Sequence, residues 1–349
     1  MTPPEVLALG RAIAEADTPG WTVRVVPNKF PAIPGQEVVI HGPAHVTAFA
    51  ELPDEVVREA LVAWEVRREH HRAVGAAYLL AAINEGPAAG ASLDHSHSQL
   101  VPFDHVPPAV ADELPAFAGE CALCAALRDE DGRTIRRADG LRTFAPRWSR
   151  FAYELWIAPE AHAGEPAAPA DLAEALLHAA RSLRAVLGEG LAWNAVLHAA
   201  PLQRHEPFHW HVEIWPRLAV AASVELGAGI WVNIVDPDVA ARELRTVYAN
   251  HRDSPHSGTV PDYSAGPAPS PSALGGSSGA SPWTSPFSTS SSICGSSGAC
   301  GSVTRAMLPT VSSPRRFISR TPCVGRPIRE IPSTAVRMIV PSRLISITS

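Results

Sequence analysis

The feature that most constrains this chain is an internal repeat. One stretch runs WTVRVVPNKF, then Pro43 and His45, a long segment opening at Pro53, AAYLLAAIN, a Gly-rich turn and HSHSQLVPF. A second runs AYELWIAPEAH, ending in Pro159 and His162, then a segment from Pro169 to Gly188, AWNAVLH, a turn and FHWHVEIWP. The registers agree: 162 − 45 = 117, 209 − 95 = 114, 211 − 97 = 114 and 198 − 84 = 114. Each copy must bury its own apolar face, so a period of this kind bears on the architecture before any local propensity does.

Local patterns fill in the unit. Leu172, Leu176, Ala180, Leu183 and Leu187 form one apolar stripe on a 3.6-residue period, which predicts a helix over 169–188. Asp171 suits its positive end and Gly188 supplies a stop. Short β-branched and aromatic runs bounded by Gly, Pro and Asn read as strands. The fold class expected is α+β: two tandem units over residues 1–108 and 109–250, each an antiparallel sheet with one main helix.

Beyond about His251 the composition changes. Residues 1–250 hold six serines and residues 251–349 hold 23. Those last 99 residues carry nine Arg against three acidic residues, +6 in total, which leaves −6 − 6 = −12 for the first 250. Pro, Gly and Ser at this density cannot bury enough apolar surface to offset chain entropy, so residues 251–349 are expected to be disordered. Such a tail is an ordinary linker, a basic interaction tail, or the product of a shifted or extended reading frame; none of these carries catalysis.

Several classes are set aside on the same grounds. No apolar run approaches the ~18 residues of a membrane span. The opening MTPPEVLALGRAIAEAD has neither a basic head nor an unbroken apolar stretch, unlike a signal peptide. An acidic core without a basic stripe argues against duplex nucleic acid as the main partner. Five cysteines are too few for a disulfide scaffold at this length, and a reducing, cytoplasmic setting is expected.

The chemistry is concentrated in His95-Ser96-His97-Ser98-Gln99. Side chains alternate across a strand, which would put His95, His97 and Gln99 on one face and Ser96 and Ser98 on the other. A neutral imidazole can attack phosphorus near neutral pH. Backbone N–H groups of Gly86 and Gly90, with the Ser92 hydroxyl, could hold phosphate oxygens, and Gln99 could donate to one of them.

With those residues in view, the first 250 positions resemble galactose-1-phosphate uridylyltransferase and its relatives in the histidine-triad superfamily. The match rests on VVPNKFPAI, HGPAHVTAFAEL, NEGPAAGASLDHSHSQL, CALC, YELWIAPEAH, LHAAP and FHWHVEIWPRL. The resemblance implies tandem histidine-triad-like repeats in which His97 attacks the α-phosphorus of a nucleotide sugar. A sugar 1-phosphate leaves, and a second one then attacks the nucleotidyl-histidine. It also implies phosphate-binding roles for Gln99, Ser92, Asn84 and Gly90, a nucleotide contact at Asn28 and a hexose contact at Glu225. The aromatic residue expected before that Glu is Val224 here, a departure that bears on sugar selectivity. Gln at position 99, where hydrolytic relatives place a third His, favours transfer over hydrolysis or phosphorolysis of a nucleoside phosphate. A truncated, inert nucleotide-binding homologue is the remaining alternative. A homodimer is implied by the resemblance alone.

Cys121-x-x-Cys124 has the spacing of two thiolates on one zinc ion. Relatives with two zinc sites complete it with residues at the positions of His162 and His209. Another arrangement in the family would use Glu113, His198, His209 and His211; the cysteine pair favours the first set, because zinc prefers soft thiolates. By symmetry the first copy would hold a metal on His45 and His95 with an upstream cysteine pair that this sequence does not carry. Its site is thus expected to be half built, through a late start or through impairment.

Overall fold

The computed structural model describes residues 3–11, 15–129, 131–252 and 338–339. Ten strands form one sheet: β1 (Leu7–Leu9), β2 (Val23–Pro27), β3 (Glu37–His41), β4 (Tyr78–Glu85), β5 (His97–Phe103), β6 (Thr134–Ala138), β7 (Leu141–Phe144), β8 (Leu155–Pro159), β9 (Trp193–His198) and β10 (His211–Pro216). Their spatial order is β1-β2-β3-β5-β4-β9-β10-β8-β7-β6, with every neighbouring pair antiparallel. The helices are α1 (Asp54–Ala73), α2 (Pro108–Phe117), α3 (Ala122–Asp129), α4 (Pro169–Leu187), α5 (Ser223–Ala228) and α6 (Pro237–Arg252). A separate pair, β11 (Trp231–Val232) and β12 (Met338–Ile339), is also antiparallel. Apart from the last two residues of α6 and β12, the tail expected to be disordered lies outside the described residues.

The strands are two-sided and therefore alternate. Along β4, Leu79, Ala81 and Ile83 join the core beneath α1 and α4, while Tyr78 and Leu80 join a second cluster with α2 and α3. The α4 stripe behaves as its spacing requires. Leu172, Leu176, Ala180 and Leu183 are buried, and each fully buried leucine contributes about 2 kcal/mol. The helix stops at Gly188, whose φ of 94° suits a residue without a Cβ. The main core has no break at the boundary expected near position 108. Val39, Ala81 and Leu100 from one side of it and Leu155, Leu197 and Val212 from the other belong to a single cluster.

The first long helix is fastened to the sheet by charge as well as apolar contact. Arg67 bonds Glu37 in two places, Nε to Oε2 at 2.9 Å and Nη2 to Oε1 at 2.5 Å, and both residues are buried. Burial alone would raise the Glu37 pKa, but His71, with Nε2 3.3 Å from Oε1, and the Arg67 guanidinium hold it below the usual carboxylate value. Trp64, one turn earlier, donates its indole N–H to Ser98 on β5.

Candidate active site and metal centre

Regular pairing in β5 begins at His97, so His95 lies just before the strand rather than within it, as strict alternation along HSHSQ would have it. The buried side of the strand is held by a residue that sequence reasoning missed. His41, at the end of β3, places Nδ1 3.0 Å from Ser96 Oγ and Nε2 3.0 Å from Ser98 Oγ. The Trp64 indole is donor-only, so Ser98 Oγ accepts from it at 2.8 Å. Ser98 Oγ keeps a second lone pair and its own proton for His41 Nε2, so each nitrogen of the His41 ring meets a hydroxyl that can either donate or accept. Burial, with smaller contributions from His97 and His95, lowers the His41 pKa to about 3, so the ring is neutral. Its signal in the sequence is faint: a histidine at an inward position of the alternating run EVVIH.

His97 is buried, and its Nδ1 lies 2.9 Å from the His95 carbonyl oxygen. A carbonyl only accepts, so the proton sits on Nδ1 and Nε2 carries the lone pair. A cavity of about 470 Å³ is lined by Asn84, Gly86, Pro87, Asp94, His95 and His97, among others. Of the expected site residues it brings together Asn84, His95 and His97; Asn28, Gly90, Ser92, Gln99 and Glu225 are not part of its lining.

The Gly-rich segment forms a single turn. Gly86 has φ 79°, and a Cβ there would lie 2.9 Å from the Ala192 Cβ, so glycine is required twice over. Gly90 has φ 83°. Its N–H, expected to meet phosphate, donates instead to Pro87 O at 3.0 Å. What Gly90 supplies is the left-handed turn, which consumes that donor. Ser92 is exposed. Asn194 on β9, not anticipated, organises the base of the turn. Its Nδ2 reaches Asn84 Oδ1 at 2.7 Å and Ala89 O at 2.8 Å, while its Oδ1 accepts from Arg217 Nε at 2.6 Å. Arg217 can only donate, so this relay fixes the Asn84 oxygen inward and leaves its NH2 group available.

Asn28 follows β2, its side-chain oxygen accepting from the Phe30 N–H and its backbone N–H donating to Gln36 O. Gln99 Oε1 accepts from Gln36 Nε2 at 2.7 Å. Glu225 is within α5, and its carboxylate accepts from the Ala222 N–H at 2.9 Å, capping its own helix.

The second half assembles a metal-ligating group. One donor atom each from Cys121, Cys124, His162 and His209 lie within 4.8 Å of one another. His209 Nδ1 is 3.4 Å from Cys121 Sγ and 3.3 Å from Cys124 Sγ, and His162 Nδ1 is 3.6 Å from Cys124 Sγ. Zn–S and Zn–N bonds of roughly 2.3 and 2.0 Å at a tetrahedral angle separate S and N by about 3.5 Å, so these positions fit zinc. His209 Nε2 lies 3.0 Å from Pro159 O, which fixes Nδ1 as the lone-pair nitrogen. Burial lowers the His209 pKa to about 4, and burial with the neighbouring Cys121 raises the Cys124 pKa to about 11. A bound cation would reverse the thiol shift.

In the first half His45 and His95 approach through their Nδ1 atoms at 3.3 Å, and His95 Nε2 lies 3.0 Å from Gly42 O, much as His209 meets Pro159 O. Among the described residues, no third His, Cys, Asp or Glu joins that pair. Glu113, His198 and His211 form a further group without His209, which the cysteines take. Burial would lower the His198 pKa, but Glu113, 2.9 Å away, holds it above its usual value.

No family model matches this chain. It is similar to an ADP-glucose phosphorylase from Arabidopsis thaliana, at 26% identity over 269 residues, covering 66% of this chain and 75% of that protein. A solved structure of such an enzyme from Arabidopsis thaliana, with ADP-glucose bound, has a TM-score of 0.63 at 25% identity, covering 70% of this chain and 86% of the other. A galactose-1-phosphate uridylyltransferase from Thermotoga maritima is 26% identical over 231 residues, covering 60% of this chain and 73% of that one. A solved uridylyltransferase has a TM-score of 0.62 at 29% identity, covering 66% and 86%.

Proposed function

We propose, on the premise that this chain is a homologue of galactose-1-phosphate uridylyltransferase and ADP-glucose phosphorylase in the histidine-triad-like superfamily, that it moves a nucleotidyl group through His97. The observation that carries the reading is the His97 ring, whose Nδ1–H is bound to His95 O so that Nε2 is the free nucleophile. Nε2 attacks the α-phosphorus of a nucleotide sugar; the N–P bond forms as the P–O bond to the sugar 1-phosphate breaks. The departing oxyanion needs no strong acid. An oxygen of a second phosphate then attacks phosphorus and frees His97. Asn84 on β4 and Gln99 on β5 donate to phosphoryl oxygens, with Gly90 and Ser92 on the connection between those strands. Catalysis is then mainly positioning and charge stabilisation.

Asn28 contacts the nucleotide and Glu225 the hexose in this reading. The cavity wall also carries Glu51, Glu85, Asp94 and Glu189, with Arg184 already paired to Glu51 at 2.7 Å and Glu189 at 3.3 Å. The phosphoryl group is placed at His97 and Asn84 because those two side chains supply the nucleophile and an amide donor.

The halves 1–108 and 109–250 are read as two copies of one unit. Ile83 pairs with Ser98 and Leu197 with Val212, pairs offset by 114 residues; Val25 pairs with Val39 and Thr143 with Ile157, offset by 118. Cys121, Cys124, His162 and His209 would hold a zinc ion, which serves structure by tying α3 to β8 and the start of β10. His45 and His95 stand at the positions of the first half that correspond to His162 and His209.

The second reading is phosphorolysis, with inorganic phosphate as acceptor in place of a hexose 1-phosphate. It is favoured by the similarity to ADP-glucose phosphorylase. Intact-mass analysis after incubation with UDP-glucose or ADP-glucose tests both. An adduct of one nucleoside monophosphate is expected in the parent and absent in His97→Ala. Discharge of that adduct by galactose 1-phosphate marks the transferase; discharge by phosphate alone marks the phosphorylase. No adduct from either donor, in a folded preparation, refutes the His97 mechanism.

A further inference from the structure

The orientation of Gln99 is settled by a residue outside the HSHSQ motif. The Ala32 N–H can only donate, and it lies 2.9 Å from Gln36 Oε1. That contact fixes the Gln36 carboxamide, oxygen toward Ala32 and nitrogen toward β5. Gln36 Nε2 is 2.7 Å from Gln99 Oε1, and an amide nitrogen can only donate, so the atom facing it is the Gln99 oxygen. Both hydrogens of the Gln99 NH2 group are left for other partners. Gln36 is buried at 6% exposure, so water does not readily replace either bond.

The same residue closes the loop that carries Asn28. Its carbonyl oxygen accepts from the Asn28 N–H at 2.8 Å, and its own N–H donates to Ile33 O at 3.2 Å. The Gln36 side chain therefore joins loop 28–36 to the strand of the nucleophile, while its backbone closes that loop on itself. Gln99 lies on β5 two residues from His97, on the same face.

We infer that Gln36 is a positioning residue that sets the polarity of Gln99, turning the Gln99 amide hydrogens rather than its carbonyl oxygen toward an anionic phosphoryl oxygen. This rests on the function proposed above. A phosphoryl oxygen binds donors, and donors to an anion form the stronger class of hydrogen bond. A glutamate at position 36 would keep the Ala32 bond with one oxygen and present the other to Gln99. Gln99 would then rotate to donate to it and turn its own oxygen toward the anion. The substitution is close to isosteric, so it reverses polarity with little change of volume.

The test is titration calorimetry of the full chain with UMP and with AMP at pH 8 and pH 5.5, for the parent, Gln36→Glu and Gln36→Leu. Gln36→Glu is expected to weaken binding about tenfold at pH 8, and the deficit is expected to shrink at pH 5.5. The introduced carboxyl, once protonated, can donate to Gln99 Oε1 as the amide does. Gln36→Leu is expected to lose less, by the same factor at both pH values. Binding by Gln36→Glu that equals the parent, or a loss indifferent to pH, overturns the inference. A readout on the parent alone covers a variant that fails to fold: the Gln99 side-chain amide resonance should move when UMP or AMP is added, and a resonance that stays fixed overturns the inference. If this polarity effect holds while no nucleotidyl adduct forms, the transfer reading falls and the role of Gln36 stands. If the adduct forms equally in the parent and Gln36→Glu, the reverse is true. If the parent binds neither nucleotide, both fall.

Discussion

The buried ring of His41 makes an acid-sensitivity prediction that can be worked through. In the folded chain burial lowers its pKa from 6.5 to about 3. Below pH 6.5 the unfolded chain gains a proton on this ring and the folded chain does not, so the folded state loses stability as the pH falls. At 1.36 kcal/mol per pH unit the full loss between pH 6.5 and 3 is about 5 kcal/mol, of which about 2 kcal/mol falls between pH 7 and pH 5. His41→Gln removes the titration. It also disturbs the bonds to Ser96 and Ser98 and should cost about 1–2 kcal/mol at pH 7. Other groups titrate alike in both proteins, so the comparison isolates His41. Urea unfolding followed by tryptophan fluorescence at pH 7 and pH 5 provides the four stabilities needed. The variant's loss on acidification should be smaller than the parent's by about 2 kcal/mol. Losses equal in both proteins to within about 0.5 kcal/mol would refute a neutral, buried His41 as the cause.

Two further outcomes are expected. Cys121→Ser should lower the bound zinc measured by elemental analysis; metal content unchanged from the parent would refute the ligand set. Arg67→Met leaves the Glu37 carboxylate buried without its main partner and should cost about 3–5 kcal/mol in urea unfolding, whereas adding Glu37→Leu should recover most of that loss. A double variant no more stable than the single one would contradict this account of the pair.

The α4 helix, the inner strands and the Cys–His quartet were legible because each writes its structure into spacing: the 4-4-3-4 apolar stripe, the bounded β-branched runs, and a CxxC followed by histidines at the offsets of the repeat. The short helices α2 and α3 left no comparable pattern, since ten and eight residues span too few turns for a period to stand out. His41, Gln36, Asn194 and Arg217 were not legible for a different reason. Each acts through a partner on another strand or loop, as Gln36 does with Gln99 at 63 residues' separation, and no local pattern encodes such a meeting. Gly90 and Glu225 show the converse. Their residue types suited phosphate and sugar, but local hydrogen bonds engage the Gly90 N–H in its own turn and the Glu225 carboxylate at its own helix start.

The central pairing of β4 with β9 also orders events during synthesis. Asn84 pairs with Asn194, so one edge of β4 has no strand to meet until about 110 more residues have been made. At the usual 5–20 residues per second that interval is roughly 5–20 s, long against the microseconds in which a hairpin closes. Throughout it the apolar run YLLAAI offers unpaired peptide groups along that edge, the geometry that invites pairing with a neighbouring chain. Pairing β4 with β9 covers both of those strand edges in the finished molecule, and it does so only after the first of them has passed through the period of greatest risk.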